Sequence, residues 1–451
     1  MIVRFFRAHA VPLAITALAL AVRLVWNLWI HPPGRYLYSD MEGIIFDARL
    51  LAEKPWEPVP PVTIQGPGAR VLFALTMWIT SPDNLTFGAV VLAFMGALIA
   101  PLTYSLCGEL HAGPQWREQA RARRAAAIAG IVAALYYPLI SFGGYFLSEA
   151  PYAVMLTAAA LFTLRVADGG RARDAWLLGA SVGLAFWFRP QIIVVVPLLL
   201  AFMAWRRRAF PLVRAGHAVR AGAGIALALC LSSLFVHHHT GAWSLTPKGR
   251  ALNRVFARCH NVEINGGGLF YGPEVFSWLH RRTLKFPDGF FQLDPAREIA
   301  IAAKDPLWIE EPLDAIADDC VARTGIVRQL RYAGTHVVLL WTDTAWPDSG
   351  RPEWRVLMRW SNRVQFALFF PPMIVAMFRG LGERDARRGL VALYLWSMIV
   401  VAMLYFGSAR IRTVHDALVI ALAIDSYARL VAWIRGRSRV LGLATNKHSV
   451  S

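Results

Sequence analysis

Three carboxylates, Asp40, Glu42 and Asp47, fall within "YLYSDMEGIIFDARLL" at 36–51. A fourth, Glu149, stands in "FGGYFLSEAPYAVM" at 142–155. Basic residues recur in comparable short stretches: Arg189 in "FWFRPQ", Lys248 and Arg250 in "SLTPKGRALN", and Arg410 and Arg412 in "FGSARIRTVHD". A carboxylate beside an acceptor hydroxyl can take its proton. Guanidinium forks suit the paired oxygens of a phosphate. Acids and arginines meeting on one face of a membrane suit transfer of a group from a lipid phosphate. The phosphate would leave, and the arginines would stabilise its growing charge.

Each of these residues also has an ordinary structural reading. Ser39 and Glu42 have the spacing of a capping box, with Ser39 as N-cap and Glu42 three residues into a helix. Asp47 reads as a solvated flank. Asp40 sits in a first turn, where the helix dipole favours a carboxylate. Glu149 could be a turn residue with Ser148 and Pro151, and the arginines could snorkel to headgroups. His237, His238 and His239 resemble a metal-binding run but lack a further ligand at defined spacing, so metal binding stays open.

The elements that must hold these groups follow from composition. Of 451 residues, 56% are hydrophobic and 17% are charged, where soluble domains carry about 25% charged. Several apolar runs approach the roughly 20 residues needed to cross a bilayer. The reading is a polytopic, all-α membrane protein with ten candidate spans, near 10–30, 85–107, 125–145, 150–165, 175–188, 190–205, 217–237, 362–378, 389–406 and 413–433. The first run is too long for a signal-peptide core, and no small-residue cleavage site follows it, so it reads as retained. Stretch 67–82 is apolar but short, and reads as a helix lying on or dipping into the outer surface.

Net charge is +18. The basic residues punctuate the apolar runs, as cytoplasmic loops require, so nucleic acid is not the expected partner. Arg4, Arg7, Arg117, Arg121, Arg123, Arg124, Arg206, Arg207, Arg208, Arg384, Arg387 and Arg388 would lie on the cytoplasmic side with both termini. Arg35, Arg49, Lys54, Arg189, Arg410 and Arg412 would lie on the other side with the four acids.

The chain then divides into an N-terminal transmembrane module at 1–237, whose first external loop is 31–66, a small external, mostly helical domain at 238–361, and a C-terminal module with a cytoplasmic tail at 362–451. Stretch 311–332 reads as a helix with Pro312 near its start. Cys259 and Cys320 fall in the external segment, where an oxidising compartment would permit a disulfide.

On the opening stretch as a helix, Met41, Ile44, Ile45, Ala48, Leu51 and Ala52 form one apolar face, with Glu42, Arg49 and Glu53 opposite. An amphipathic helix in the outer interface fits this pattern.

Four stretches together resemble the GT-C class of integral-membrane glycosyltransferases, in the bacterial branch related to protein O-mannosyltransferases and aminoarabinose transferases. They are "YSDMEGIIFDARLL", "FLSEAPYAVMLTAAALF", "GLAFWFRPQIIVVVPLLL" and "FGSARIRTVHDALVIALA". The resemblance implies a polyprenyl-phosphate sugar donor used on the periplasmic or extracellular face, with inversion. The acceptor would be a lipid, glycan or protein hydroxyl. Asp40 matches the acid that serves as base, and Glu149 matches the Ser-Glu acid after the third span. Arg189, Arg410 and Arg412 match the donor-side arginines, which Lys248 and Arg250 could join. Glu42 is a secondary acid. Where relatives read Arg-aromatic-Arg-Pro, this chain reads "RIRTVHD", which leaves the roles of Arg410 and Arg412 open. Asp-Met-Glu in place of adjacent acids leaves dependence on a divalent metal open. The competing reading is a polytopic transporter or flippase of a lipid-linked substrate, which would be expected to show repeats and mid-membrane polar residues.

The charge bias makes one prediction about orientation. A reporter fused after Ser451 in a bacterial inner membrane should report the cytoplasm, and a periplasmic signal would reverse the topology.

Overall fold

A computed structural model describes residues 2–37, 40–58, 66–246, 250–259, 263–264, 267–268, 310–342, 352–382, 386–405 and 407–446. These residues are almost wholly helical. Apart from turns and connecting loops, the other structure among them is an antiparallel pairing of Glu263 with Gly268 and Ile264 with Gly267.

The helices, in chain order, are α1 (Ile2–Val25), α2 (Asp40–Glu53), α3 (Pro67–Ile79), α4 (Leu85–Ala112), α5 (Ala120–Leu135), α6 (Tyr137–Phe142), α7 (Glu149–Ala167), α8 (Ala172–Phe188), α9 (Val195–Trp205), α10 (Ala215–Thr240), α11 (Arg250–Cys259), α12 (Glu310–Thr342), α13 (Pro352–Leu368), α14 (Phe370–Gly382), α15 (Arg387–Leu404), α16 (Ala409–Thr413) and α17 (Asp416–Asn446). A π-helical turn at Trp26–Ile30 extends α1, and a 3-10 turn at Pro190–Val194 leads into α9.

Among the described residues, six helices are long and apolar enough to cross a membrane: Ala10–Arg35, Leu85–Gln115, Glu149–Ala167, Ala215–Thr240, Arg387–Leu404 and Asp416–Arg435. A bent pair, Val356–Leu368 with Phe370–Gly382, meets at 48° and would make a seventh. The chain is an integral membrane protein. Two of the ten expected spans are interrupted. The expected span at 125–145 is broken between α5 and α6, where Tyr136 is extended, because Pro138 has no N–H for the Ala134 carbonyl and its ring crowds that carbonyl. The span at 190–205 opens as 3-10 helix from Pro190, whereas the expected span at 175–188 is observed as the 17-residue helix α8.

The core forms around α4, which packs on α1, α5, α7 and α17, while α7 packs on α8 and α8 on α10. Asn84 caps α4, accepting from Phe87 N at 3.2 Å. Helix α10 ends on Gly241, whose φ of 72° suits a left-handed C-cap. The exposed tryptophans Trp29 and Trp243 lie near one set of helix ends and Trp205 and Trp433 near the other set, the placement that amphipathic rings favour at two membrane interfaces.

One end of the bundle is clamped by ion pairs. Asp425, fully buried, is held by His111 at 2.7 Å, Arg388 at 2.5 Å and Arg429 at 3.2 Å, which ties α17 to α4 and α15. Asp168 pairs with Arg387 at 2.9 Å. Several arginines that read as loop charges are therefore bonded to acids at the helix ends.

Arg23, buried in α1, has a different function. Its guanidinium donates to Ala134 O at 3.1 Å and Ala133 O at 3.3 Å. Helix carbonyls near a break lose their usual donors, and Pro138 has no N–H to offer. Arg23 supplies the missing donors, so the chain can leave α5 and turn toward the loop before Glu149.

The expected apolar face of α2 is observed: Met41, Ile44, Ile45, Ala48 and Leu51 are buried and α2 packs on α3. The reading of Asp47 as a solvated flank is overturned. Asp47 is 1% exposed, and its Oδ2 lies 2.9 Å from Nε of the buried Arg70 on α3. Asp47 lies three residues after Ile44, so it shares the buried face. The stretch at 67–82 is α3, one of the shorter apolar helices, joined to α2 by this pair. Stretch 311–332 is helical as expected, within α12, which kinks at Gly325. Most of the proposed external domain lies outside the described residues, as does Ser39 of the expected capping box. Cys320 is disulfide-bonded, whereas Cys107 and Cys230 are free thiols; the side chain of Cys259 lies outside the described residues.

The Asp47–Arg70 pair sets a stability prediction. Removing one partner of a buried ion pair costs about 3–5 kcal/mol, because it leaves the other charge uncompensated. Asp47→Ala should lower the unfolding free energy in detergent by that amount, whereas Glu42→Ala, on the exposed face, should cost less than about 1 kcal/mol.

Candidate active site

Four of the predicted residues converge at one end of the bundle, opposite the Asp425 clamp. Each comes from the end of a different element. Asp40 opens α2 and Glu149 opens α7, where the helix dipole favours negative charge. Arg189 closes α8, its N–H bonded to Ala185 O at 2.8 Å, where the dipole favours positive charge. Pro190 holds Arg189 in an extended conformation at φ −151°, ψ 110°. Arg410 sits in the five-residue helix α16.

Arg410 joins the two acids. Its Nη1 donates to Asp40 Oδ2 at 2.5 Å, and its Nε donates to Glu149 Oε1. Arg189 Nη2 donates to the same oxygen of Glu149 at 2.5 Å, and Arg189 Nε donates to Ser148 Oγ at 3.1 Å. The Glu149 side chain is 0% exposed, while that of Asp40 is 37% exposed. Glu149 is thus the buried centre of the cluster and Asp40 its approachable carboxylate. Burial alone would pull the Arg410 guanidinium down. Glu149 and Asp40 more than offset this and hold it above its ordinary value.

The loop carrying Ser148 and Glu149 is anchored by the end of the first span. Asn27 Nδ2 donates to Gly143 O at 2.8 Å and to Ala89 O at 3.0 Å. His31 Nδ1 lies 3.1 Å from Gly144 O, and the His31 ring stacks between Trp26 and Tyr36. A Cβ on Gly144 would lie 2.5 Å from Trp26 Nε1, so only glycine permits this approach. Sequence reasoning missed Trp26, Asn27, His31 and Ser148 as supports of the site. The signal available was a polar Asn and His at the end of an apolar run, where buried polar groups need partners.

The remaining predicted residues lie elsewhere. Glu42 is exposed on the other face of α2. Lys248 and the side chain of Arg250 lie outside the described residues. Arg412 is buried on the far side of α16, against Asn362 and Asp416. His237 stacks on Trp243 at 3.9 Å and His239 packs on Phe235. Among the described residues no three His, Cys, Asp or Glu side chains gather as a metal site. A divalent ion bridging Asp40 and Glu149 would have to displace Arg410.

The cluster pairs two carboxylates with two guanidiniums, so it enters any reaction near neutrality. An incoming phosphate would meet Arg410 and Arg189, and an acceptor hydroxyl would meet Asp40. These burial differences predict unequal costs. Glu149→Gln, which strips the buried Arg410 and the part-buried Arg189 of their shared counter-ion, should lower stability in detergent by about 3–5 kcal/mol. Asp40→Asn should cost about 1 kcal/mol or less, since its partner keeps Glu149 and its carboxylate is partly solvated. A thermal or denaturant melt of the two variants against wild type checks both.

A search of curated proteins finds no match to this sequence. A family model described as dolichyl-phosphate-mannose-protein mannosyltransferase matches residues 117–235. Among solved structures, the archaeal oligosaccharyltransferase AglB from Archaeoglobus fulgidus, in complex with an inhibitory peptide and a dolichol-phosphate, is similar at a TM-score of 0.48 and 15% identity over 97% of this chain and 52% of its own. ArnT from Cupriavidus metallidurans, bound to undecaprenyl phosphate, is similar at a TM-score of 0.37 and 17% identity over 92% of this chain and 77% of its own. The chain thus spans about half the length of AglB. The family match covers both Glu149 and Arg189. Across that stretch the chain is similar to protein mannosyltransferases, the branch of GT-C membrane glycosyltransferases that its motifs resemble.

Proposed function

We propose that the protein is an integral-membrane glycosyltransferase. It moves a hexosyl or pentosyl group from a polyprenyl-phosphate donor to an acceptor hydroxyl, with inversion. The observation that carries this reading is the convergence of Asp40, Glu149, Arg189 and Arg410 at one end of the bundle.

The acceptor hydroxyl gives its proton to Asp40 while its oxygen attacks the anomeric carbon. The bond from that carbon to the phosphate oxygen breaks, and the electron pair leaves with the lipid phosphate. Arg410 and Arg189 hold the departing phosphate by charge-assisted hydrogen bonds. Glu149 does not touch substrate; it keeps both guanidiniums in place. Arg410 bonds Asp40 before the donor binds. A donor phosphate that draws Arg410 toward itself frees the Asp40 oxygen to accept the hydroxyl proton.

The site faces the periplasm of a bacterial inner membrane, with both termini cytoplasmic, as the basic residues imply. The acceptor is a lipid, glycan or protein, and the external segment at 238–361 shapes that choice.

The test is sugar transfer in detergent from undecaprenyl-phosphate sugars, with membrane extract as acceptor and release of undecaprenyl phosphate as the readout. Asp40→Asn should lose roughly 10²–10⁴-fold in rate, the range of general base catalysis. Full activity in that variant ends the role given to Asp40. Movement of a lipid-linked sugar across a vesicle without transfer would make the protein a flippase.

A further inference from the structure

Arg410 and Arg412 are two positions apart on α16. Two residues of an α-helix are about 200° apart around its axis, so they project from opposite faces. Arg410 meets the acids of the site. Arg412, whose side chain is 1% exposed, meets protein on every edge. Its Nη2 donates to Asn362 Oδ1 at 2.7 Å and its Nη1 to Leu340 O at 3.3 Å. Its Nε lies 3.4 Å from Asp416 Oδ1, and its guanidinium lies 5.8 Å from the Trp341 ring centre. Gln365 Nε2 donates to Asp416 Oδ1 at 2.6 Å and steadies that carboxylate.

A helix as short as α16 does not hold itself, since nucleation outweighs so few hydrogen bonds. It needs outside anchors. On its N-terminal side Gly407 N donates to His336 Nδ1 at 3.2 Å. A Cβ on Gly407 would fall 1.6 Å from His336 O, so glycine is required for the chain to press onto α12. Burial pushes His336 down to about 4, which keeps the ring neutral and Nδ1 an acceptor. On its C-terminal side the anchor is Arg412, reaching α12 at Leu340, α13 at Asn362 and α17 at Asp416.

We infer that Arg412 is a positioning residue and not a ligand of the donor phosphate: it fastens α16 to α12, α13 and α17 so that Arg410 stays aimed at Asp40 and Glu149. Its catalytic consequence rests on the glycosyltransferase reading; its structural consequence does not. The division of labour also joins the external segment to the site, because α12 lies within that segment.

The test uses the full chain in detergent and four variants: Arg412→Gln, Arg412→Lys, Asn362→Leu and the double variant of Arg412→Gln with Asn362→Leu. Asn362→Leu removes the acceptor without touching a phosphate, and it serves alone if Arg412→Gln does not fold. Two readouts are taken: hydrogen exchange of the amides at 408–415, and kcat for sugar transfer with undecaprenyl phosphate binding measured alongside. A positioning role predicts that Arg412→Gln and Asn362→Leu raise exchange at 408–415 together, with α15 unchanged. Both should lower kcat by about ten- to a hundredfold, as small misplacements of a reacting group do. The double variant should be no worse than Arg412→Gln, and Arg412→Lys should recover part of the loss by keeping the charge beside Asp416. Weakened undecaprenyl phosphate binding in Arg412→Gln, with Asn362→Leu at wild-type values in every readout, overturns the inference. So does unchanged exchange in both variants. If wild type transfers no sugar, the functional proposal fails, and exchange at 408–415 still decides the role of Arg412.

Discussion

A carboxylate with no exposed surface at the head of a membrane helix must be met by positive charge, because removing an ion from water costs far more than one hydrogen bond returns. Glu149 is that carboxylate, and Arg189 and Arg410 meet it through a single oxygen. The rest of the site depends on this contact. It brings the end of α8 and the short helix α16 to the start of α7, and Arg410 then reaches Asp40 on α2. Four segments far apart in the chain are joined by two acids and two guanidiniums.

The surroundings are arranged to hold those helix ends. Arg23 replaces donors that Pro138 cannot supply, which lets the chain turn before the loop of Glu149. Asn27 and His31 then bond the carbonyls of Gly143 and Gly144 in that loop. Asp47 and Arg70 fasten α2 to α3 from within their contact. At the other end of the bundle Asp425 gathers His111, Arg388 and Arg429. Buried ion pairs at both ends, with apolar helices between, suit a membrane protein, since charge is tolerated inside only when paired.

Much of this was legible in the sequence. The apolar stripe of α2 followed from spacing alone, and the buried side chains match it. The four residues of the cluster stood out because acids and arginines broke otherwise apolar stretches. Other features were less legible. Asp47 looked like a wet flank because a carboxylate is usually solvated, and its partner Arg70 lies on another helix. Of the ten expected spans, six are long apolar helices and one is a bent pair, while the others are shorter or interrupted. Prolines 138 and 190 interrupt hydrogen bonding without interrupting hydropathy, so an apolar run does not show where a helix breaks.

Arg410 and Arg412 show where the division falls. By itself the sequence determined that this is a helical membrane chain, that its acids and arginines sit at span ends, and that two arginines stand two residues apart after the penultimate long span. Those properties are local, set by hydropathy, periodicity and charge. Which arginine faces the acids was decided only by tertiary structure. The answer depends on the rotation of a five-residue helix about its axis, and that rotation is set by Leu340, Asn362 and Asp416, which approach Arg412 from three other helices.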